Sequence, residues 1–192
     1  QLKPYYQQHF FDLDLAAIRT VVEQHPWLYR AVVKRIWPDL LVVMPEPEIA
    51  VAKWNQTGFL NHRGQIIESP IQDVGISDDL PRLVGLSQHA EQMERYYRQL
   101  SLLLSRQQLR IVKLELLHRG ALELQLGNGI RVLLGRHNIL ERMERMVVVY
   151  RYVLAQKAAL IQQIDARYSH GVAVTWRVSV KFEPIRGQKI DV

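Results

Sequence analysis

Seven histidines, His9, His25, His62, His89, His118, His137 and His170, are the first residues to test for chemistry. A zinc site needs ligands at short, defined spacings, as in the paired histidines of HExxH on one helix face. None of the seven has such a neighbour, and most fall beside expected turns or helix ends. Solvation and capping account for them. The carboxylate pairs Asp12/Asp14, Glu46/Glu48 and Asp78/Asp79 each fit a helix cap or a turn. Paired acid–base work needs two carboxyl groups flanking a bond in a cleft, and nothing favours that for any pair. The chain has no nucleophile elbow, no phosphate-binding loop and no dinucleotide fingerprint. The short stretches GNG (127–129) and LGR (134–136) suit turns. There is no cysteine, which removes thiolate nucleophiles, disulfides and cysteine-based zinc sites. The residues therefore assign no catalytic group, no cofactor and no metal.

What remains is backbone chemistry. The stretch RYSHGVAVTW, Arg167 to Trp176, reads as a turn followed by a strand. The alternation runs on, with Val172, Val174, Trp176, Val178, Val180 and Phe182 on one face and Arg177, Ser179, Lys181 and Glu183 on the other. Little chain is left to pair with that strand. An unpaired strand edge presents a row of free N–H and C=O groups, to which another chain adds as a further strand. The pattern predicts an interaction protein with an open sheet edge and a strand that continues through 178–182.

Composition agrees without selecting a partner. The chain has 192 residues, 48% of them apolar, enough for one or two domains with cores. It has 25 basic against 19 acidic residues, a formal net charge of +6. The basic residues are spread along the chain, and the tyrosines of ERYYRQL and VVVYRYVL fall largely at core spacing. That argues against nucleic acid, which calls for a basic stripe with interleaved aromatics. No apolar run reaches membrane-spanning length. The first residues, QLKPYYQQHFF, are neither a start methionine nor a targeting segment, and they read as part of something longer.

The elements that must position the edge follow from periodicity. DLDLAAIRTVVEQH is a helix capped by Asp12, with Leu15, Ile18, Val22 and His25 on one face and Pro26 as its stop. LYRAVVKRIW and LLVVM are two strands joined through Pro-Asp. Pro45 and Pro47 mark a domain junction. FLN and QIIES form a hairpin over HRG, and 70–85 is loop. A helix over 88–107, capped by Ser87, carries an apolar stripe of Met93, Tyr96, Leu100, Leu103 and Leu104. Three strands, LRIVKLELL, ALELQL and IRVLLG, turn at HRG and GNG. Asn128 and Gly129 both tolerate positive φ there. A helix over 138–156 buries Leu140, Met143, Val147, Tyr150 and Leu154 and pairs Glu141 with Arg145. IQQIDARY and GVAVTWRVSVKF close the chain as a hairpin over Ser169-His170-Gly171. The class is α+β in two modules.

Several stretches, in order, carry a resemblance. They are FFDLDLAAIRTVVEQHPW, PWLYRAVVKRIWPD, PEIAVAKWNQTGFLNHRGQII, LPRLVG, LGR followed by ERMERMVVVY, and IDARYSHGVAVTW. Together they resemble the FtsQ/DivIB cell-division family, its gamma-proteobacterial members in particular, over about residues 5–176. Ala50, Leu86 and Ala166 depart from the residues usual there.

The resemblance implies a POTRA module over 1–47 that lacks its first strand, so that helices lead into two strands. It implies a mainly antiparallel β domain with two packed helices over 48–176, leaving 177–192 as a C-terminal extension or tail. It implies a bitopic inner-membrane protein whose bulk is periplasmic and whose membrane helix precedes this chain. The expected function is assembly of the division machinery at the septum, without catalysis. FtsB and FtsL would bind at the C-terminal sheet edge, and FtsK and other division proteins near the POTRA side. The implied partner-binding residues are Arg119, Arg167, Tyr168, Ser169, Gly171 and Trp176, with Ala121 where an aromatic is usual. Another POTRA-bearing envelope protein, acting as a polypeptide-binding module, is the alternative.

Overall fold

A computed structural model of the chain describes residues 12–68 and 79–177. The first helix, α1 (Leu15–Glu23), begins one residue after Asp14, whose Oδ1 accepts the N–H groups of Ala16 and Ala17 at 2.9 and 3.1 Å. The expected cap, Asp12, lies too far out. A capping carboxylate must directly precede the first helical residue to reach the free amides of the first turn. The helix also ends earlier than expected, so His25 lies beyond it, exposed, and Ile18 alone on its face is fully buried. Strands β1 (Leu28–Ile36) and β2 (Leu40–Pro47) form an antiparallel two-stranded sheet, with Val33 opposite Val43. β2 runs through both Pro45 and Pro47.

The second sheet has nine strands: β3 (Ala50–Trp54), β4 (Gly58–Asn61), β5 (Ile66–Glu68), β6 (Arg82–Val84), β7 (Ile111–Leu116), β8 (Leu122–Leu126), β9 (Arg131–Gly135), β10 (Ile161–Asp165) and β11 (Ala173–Trp176). Their order is β11-β10-β9-β8-β7-β6-β3-β4-β5. Strand β6 falls within the stretch read as loop. It pairs parallel with both β3 and β7 and joins the hairpins on either side into one sheet. Three residues between Pro81 and Gly85 are too few to show alternation. β9 and β10 are also parallel, and the other pairings are antiparallel.

One ladder row explains the core. Trp54, Leu83, Leu114, Leu124, Val132, Ile164 and Val174 are successive cross-strand neighbours. All but Val174 are buried, and Val174 packs against the cluster from the edge. The adjacent row, Lys53, Arg82, Lys113, Gln125, Arg131, Gln163 and Thr175, points the other way and is polar. Helices α2 (Ala90–Ser105) and α3 (Ile139–Val149) supply Met93, Leu100, Leu104, Ile139, Met143 and Met146 to the apolar face.

The helix ends differ from the sequence reading. α2 is preceded by a 3-10 turn, Ser87–His89, and the Ser87 side chain makes no cap. α3 passes into a π-helical turn, Tyr150–Leu154, and then a 3-10 segment, Ala155–Leu160. Burial therefore follows 139, 143, 146, 150 and 154, a path that the wider turn keeps facing the sheet. The two sheets meet where the Trp27 ring lies 5.3 Å from that of Phe59 and Arg63 sits over the Tyr29 ring at 4.4 Å. Arg63 also pairs with Glu48 at 2.7 Å.

Candidate partner-binding edge

Strand β11 is the last strand of the nine-stranded sheet, and among the described residues it has a neighbour on one side only. The N–H of Arg177 donates to Leu160 O at 2.7 Å, so the main chain of Arg177 faces β10. Main-chain groups alternate along an extended strand. Those of Ala173 and Thr175 therefore face β10 as well, and those of Val174 and Trp176 face outward. The expected continuation over 178–182 lies outside the described residues.

The side chains divide by burial. Val172 and Val174 pack against the core, whereas Tyr168 is 59% exposed and Trp176 42%. Ser169 is exposed in the loop before the strand. A Cβ built on Gly171 meets no atom within 4 Å, so nothing in the chain's own packing calls for glycine there.

The two arginines come together although 48 positions separate them. Arg119 stands in the β7–β8 turn and Arg167 follows β10. Both line a shallow cavity of about 450 Å³ with Ala121, Gly135, Arg136, His137 and Arg142. Arg167 is held by Asp165: Nε donates to Oδ1 at 2.9 Å, Nη2 to Oδ2 at 2.6 Å, and its own N–H to Oδ1 at 3.0 Å. This bidentate pairing keeps the Asp165 carboxyl below its usual range despite partial burial, and raises Arg167 in turn. Arg142 donates to Leu134 O at 2.6 Å, and Arg136 reaches the main-chain oxygen of Arg119 at 3.5 Å. Gly135, at φ +74°, leaves the room: a Cβ there would lie 2.6 Å from Arg142 Nη1. Four arginines thus line the cavity, and one of them, Arg167, is paired with Asp165. Such a basin suits an acidic chain.

Sequence reasoning missed four contributors, Asp165, Arg136, Arg142 and Arg145. Asp165 sits two residues before Arg167, and that spacing was the available signal. Arg145 makes the expected pair with Glu141, at 3.7 Å. It also reaches Ala166 and Tyr168, across 21 and 23 positions, which no local pattern announces. Among the described residues no group of three or more histidines and carboxylates could hold a metal ion. No described helix is long and apolar enough to cross a membrane.

A helix leading into a two-stranded sheet, followed by a mixed sheet whose last strand lies at the edge among the described residues, defines a two-module α+β protein. Residues 1–44 match the POTRA domain of FtsQ type, and residues 51–167 match the C-terminal domain of cell division protein FtsQ/DivIB. The chain is 32% identical over 171 residues to cell division protein FtsQ of Coxiella burnetii, covering 89% of this chain and 70% of that one. It is 35% identical over 179 residues to cell division protein FtsQ of Shewanella oneidensis, covering 93% and 67%. Against the namesake from Cellvibrio japonicus it is 34% identical over 168 residues, covering 88% of this chain and 52% of that one. The chain belongs to the FtsQ/DivIB family of cell-division proteins.

Proposed function

We propose that this chain is the periplasmic part of a bitopic inner-membrane protein that assembles the division machinery at the septum and catalyses nothing itself. Residues 1–47 form the POTRA module and 48–176 the β domain, with 177–192 beyond it. The β domain binds FtsB and FtsL, one of whose segments adds as a strand to β11. The POTRA side receives FtsK and other division proteins.

The observation that carries this is the placement of β11 at the sheet edge, with the main-chain groups of Val174 and Trp176 facing outward. Exposed Tyr168 and Trp176 flank that edge, and they are residue types that anchor interfaces. Arg119 and Arg167 lie beyond its N-terminal end, where an acidic residue of the partner would make charge-assisted hydrogen bonds. Gly171 borders open space, and the chain's own packing does not require a glycine there.

Binding of a C-terminal FtsB peptide, measured by calorimetry, tests the reading. Tyr168→Ala and Trp176→Ala each weaken binding by about tenfold or more while the protein stays folded. Unchanged affinity in both variants rejects strand addition at this edge.

A further inference from the structure

The loop from Ala166 to Val172 carries four of the six proposed contact residues, Arg167, Tyr168, Ser169 and Gly171, yet no backbone hydrogen bond between its own residues closes it. It is held from outside. Arg145 projects from α3, with its side chain 21% exposed, and Nη2 donates to Ala166 O at 3.3 Å and to Tyr168 O at 2.7 Å. One guanidinium nitrogen therefore bridges two carbonyls two residues apart and fixes the stretch on which Tyr168 stands. Its Nη1 lies 3.7 Å from Glu141 on the same helix, which orients the group. Nε is buried with no hydrogen-bond partner, a cost the side chain bears in order to reach the loop.

We propose that Arg145 is a positioning residue for partner binding: it touches no partner, and it holds the main chain at Tyr168 in the form the partner meets. This rests on the strand-edge reading above. Without the bridge, the loop samples other conformations, and the partner must order it at the moment of binding. Apparent affinity falls by the fraction of time the loop is competent.

The test is Arg145→Met in the same chain, with Arg145→Gln beside it should the first fail to fold. Three quantities are read: melting temperature, affinity for the FtsB peptide, and hydrogen exchange of amides 166–172 against those of β7 to β9. The expected result is about tenfold weaker binding and faster exchange confined to the loop, in a protein still folded at the assay temperature. Unchanged affinity and unchanged loop exchange in a folded variant overturn the proposal. If Tyr168→Ala and Trp176→Ala leave affinity untouched, the strand-edge reading is what fails, and the exchange of amides 166–172 decides the role of Arg145 by itself.

Discussion

The β7–β9 meander and the β10–β11 hairpin are neighbours in one sheet, yet they are closed by opposite means. In the meander, each turn closes itself. Gly120 N–H donates to Leu117 O and Leu117 N–H to Ala121 O; Gly129 N–H donates to Leu126 O and Leu126 N–H to Ile130 O. The glycine takes positive φ each time, +75° and +84°. The β4–β5 turn repeats the arrangement with Asn61, Gly64 and Gln65. This is the three-residue hairpin loop, a type I turn with a left-handed residue after it. Asn128, expected to share the positive φ with Gly129, does not take it, because this loop needs one left-handed residue and not two. In the β10–β11 hairpin the loop is long, and it is held by Asp165 from its own strand and by Arg145 from α3. A loop closed from outside exposes its own groups to a partner. A self-closed turn spends them internally.

The largest effect separating the two regions is burial. Leu124 and Val174 belong to one ladder row, but Leu124 is central and 2% exposed whereas Val174 is on the edge. Leu124→Ala costs about 2–5 kcal/mol, the range for truncating a buried leucine. Val174→Ala costs about 1 kcal/mol or less, because one side of the site is open. Urea unfolding of both variants measures the gap, and equal losses would mean that β11 is as integral to the core as β8.

Next in size is Gly135→Ala. The substitution forces an L residue to φ +74° and drives its Cβ into Arg142 Nη1. Positive φ alone costs about 1 kcal/mol or more, and the displaced Arg142 and Arg167 disturb the basin. Gly120→Ala shares the backbone cost, but its nearest neighbour, Arg136 Cδ, is 3.7 Å away. Both variants therefore lower the melting temperature, and Gly135→Ala alone also weakens the partner peptide. Equal binding by the two would detach the basin from recognition.

This contrast also marks what was legible in the sequence. The meander could be read because its causes are local: alternating leucines, and glycines placed three residues on in HRG and GNG. The edge strand was legible for the same reason. The misses share another cause. β6 is three residues long and owes its existence to β3 and β7 on either side. The π-helical turn after α3 follows from the sheet that Tyr150 and Leu154 must face. Arg145 appeared as half of a helical pair with Glu141, and its second task depends on where the loop lies after folding. The meeting of Arg119 and Arg167 came through family likeness. No spacing rule would have brought residues 48 positions apart to one cavity.

The smallest effect falls on the pairing that holds Arg167. Asp165 is titratable, and its carboxyl lies below the usual range because Arg167 donates to it. A depressed folded value means that the unfolded chain takes up the proton first as pH falls. The pairing then contributes its full stability above the unfolded value of about 3.9, and loses it as pH drops through the lower folded value. Arg167 is more than half exposed, so solvent screening holds the contribution to about 1 kcal/mol or less. Asp165→Asn removes the titrating group and keeps the shape. The stability difference between the wild type and this variant is therefore constant from neutral pH to about 4, and it narrows below that. A narrowing already visible near pH 6 would mean that the Asp165–Arg167 pairing is not the group responsible. Partner binding is the worse readout below pH 5, because the partner's own carboxylates protonate there. Unfolding free energies separate the two.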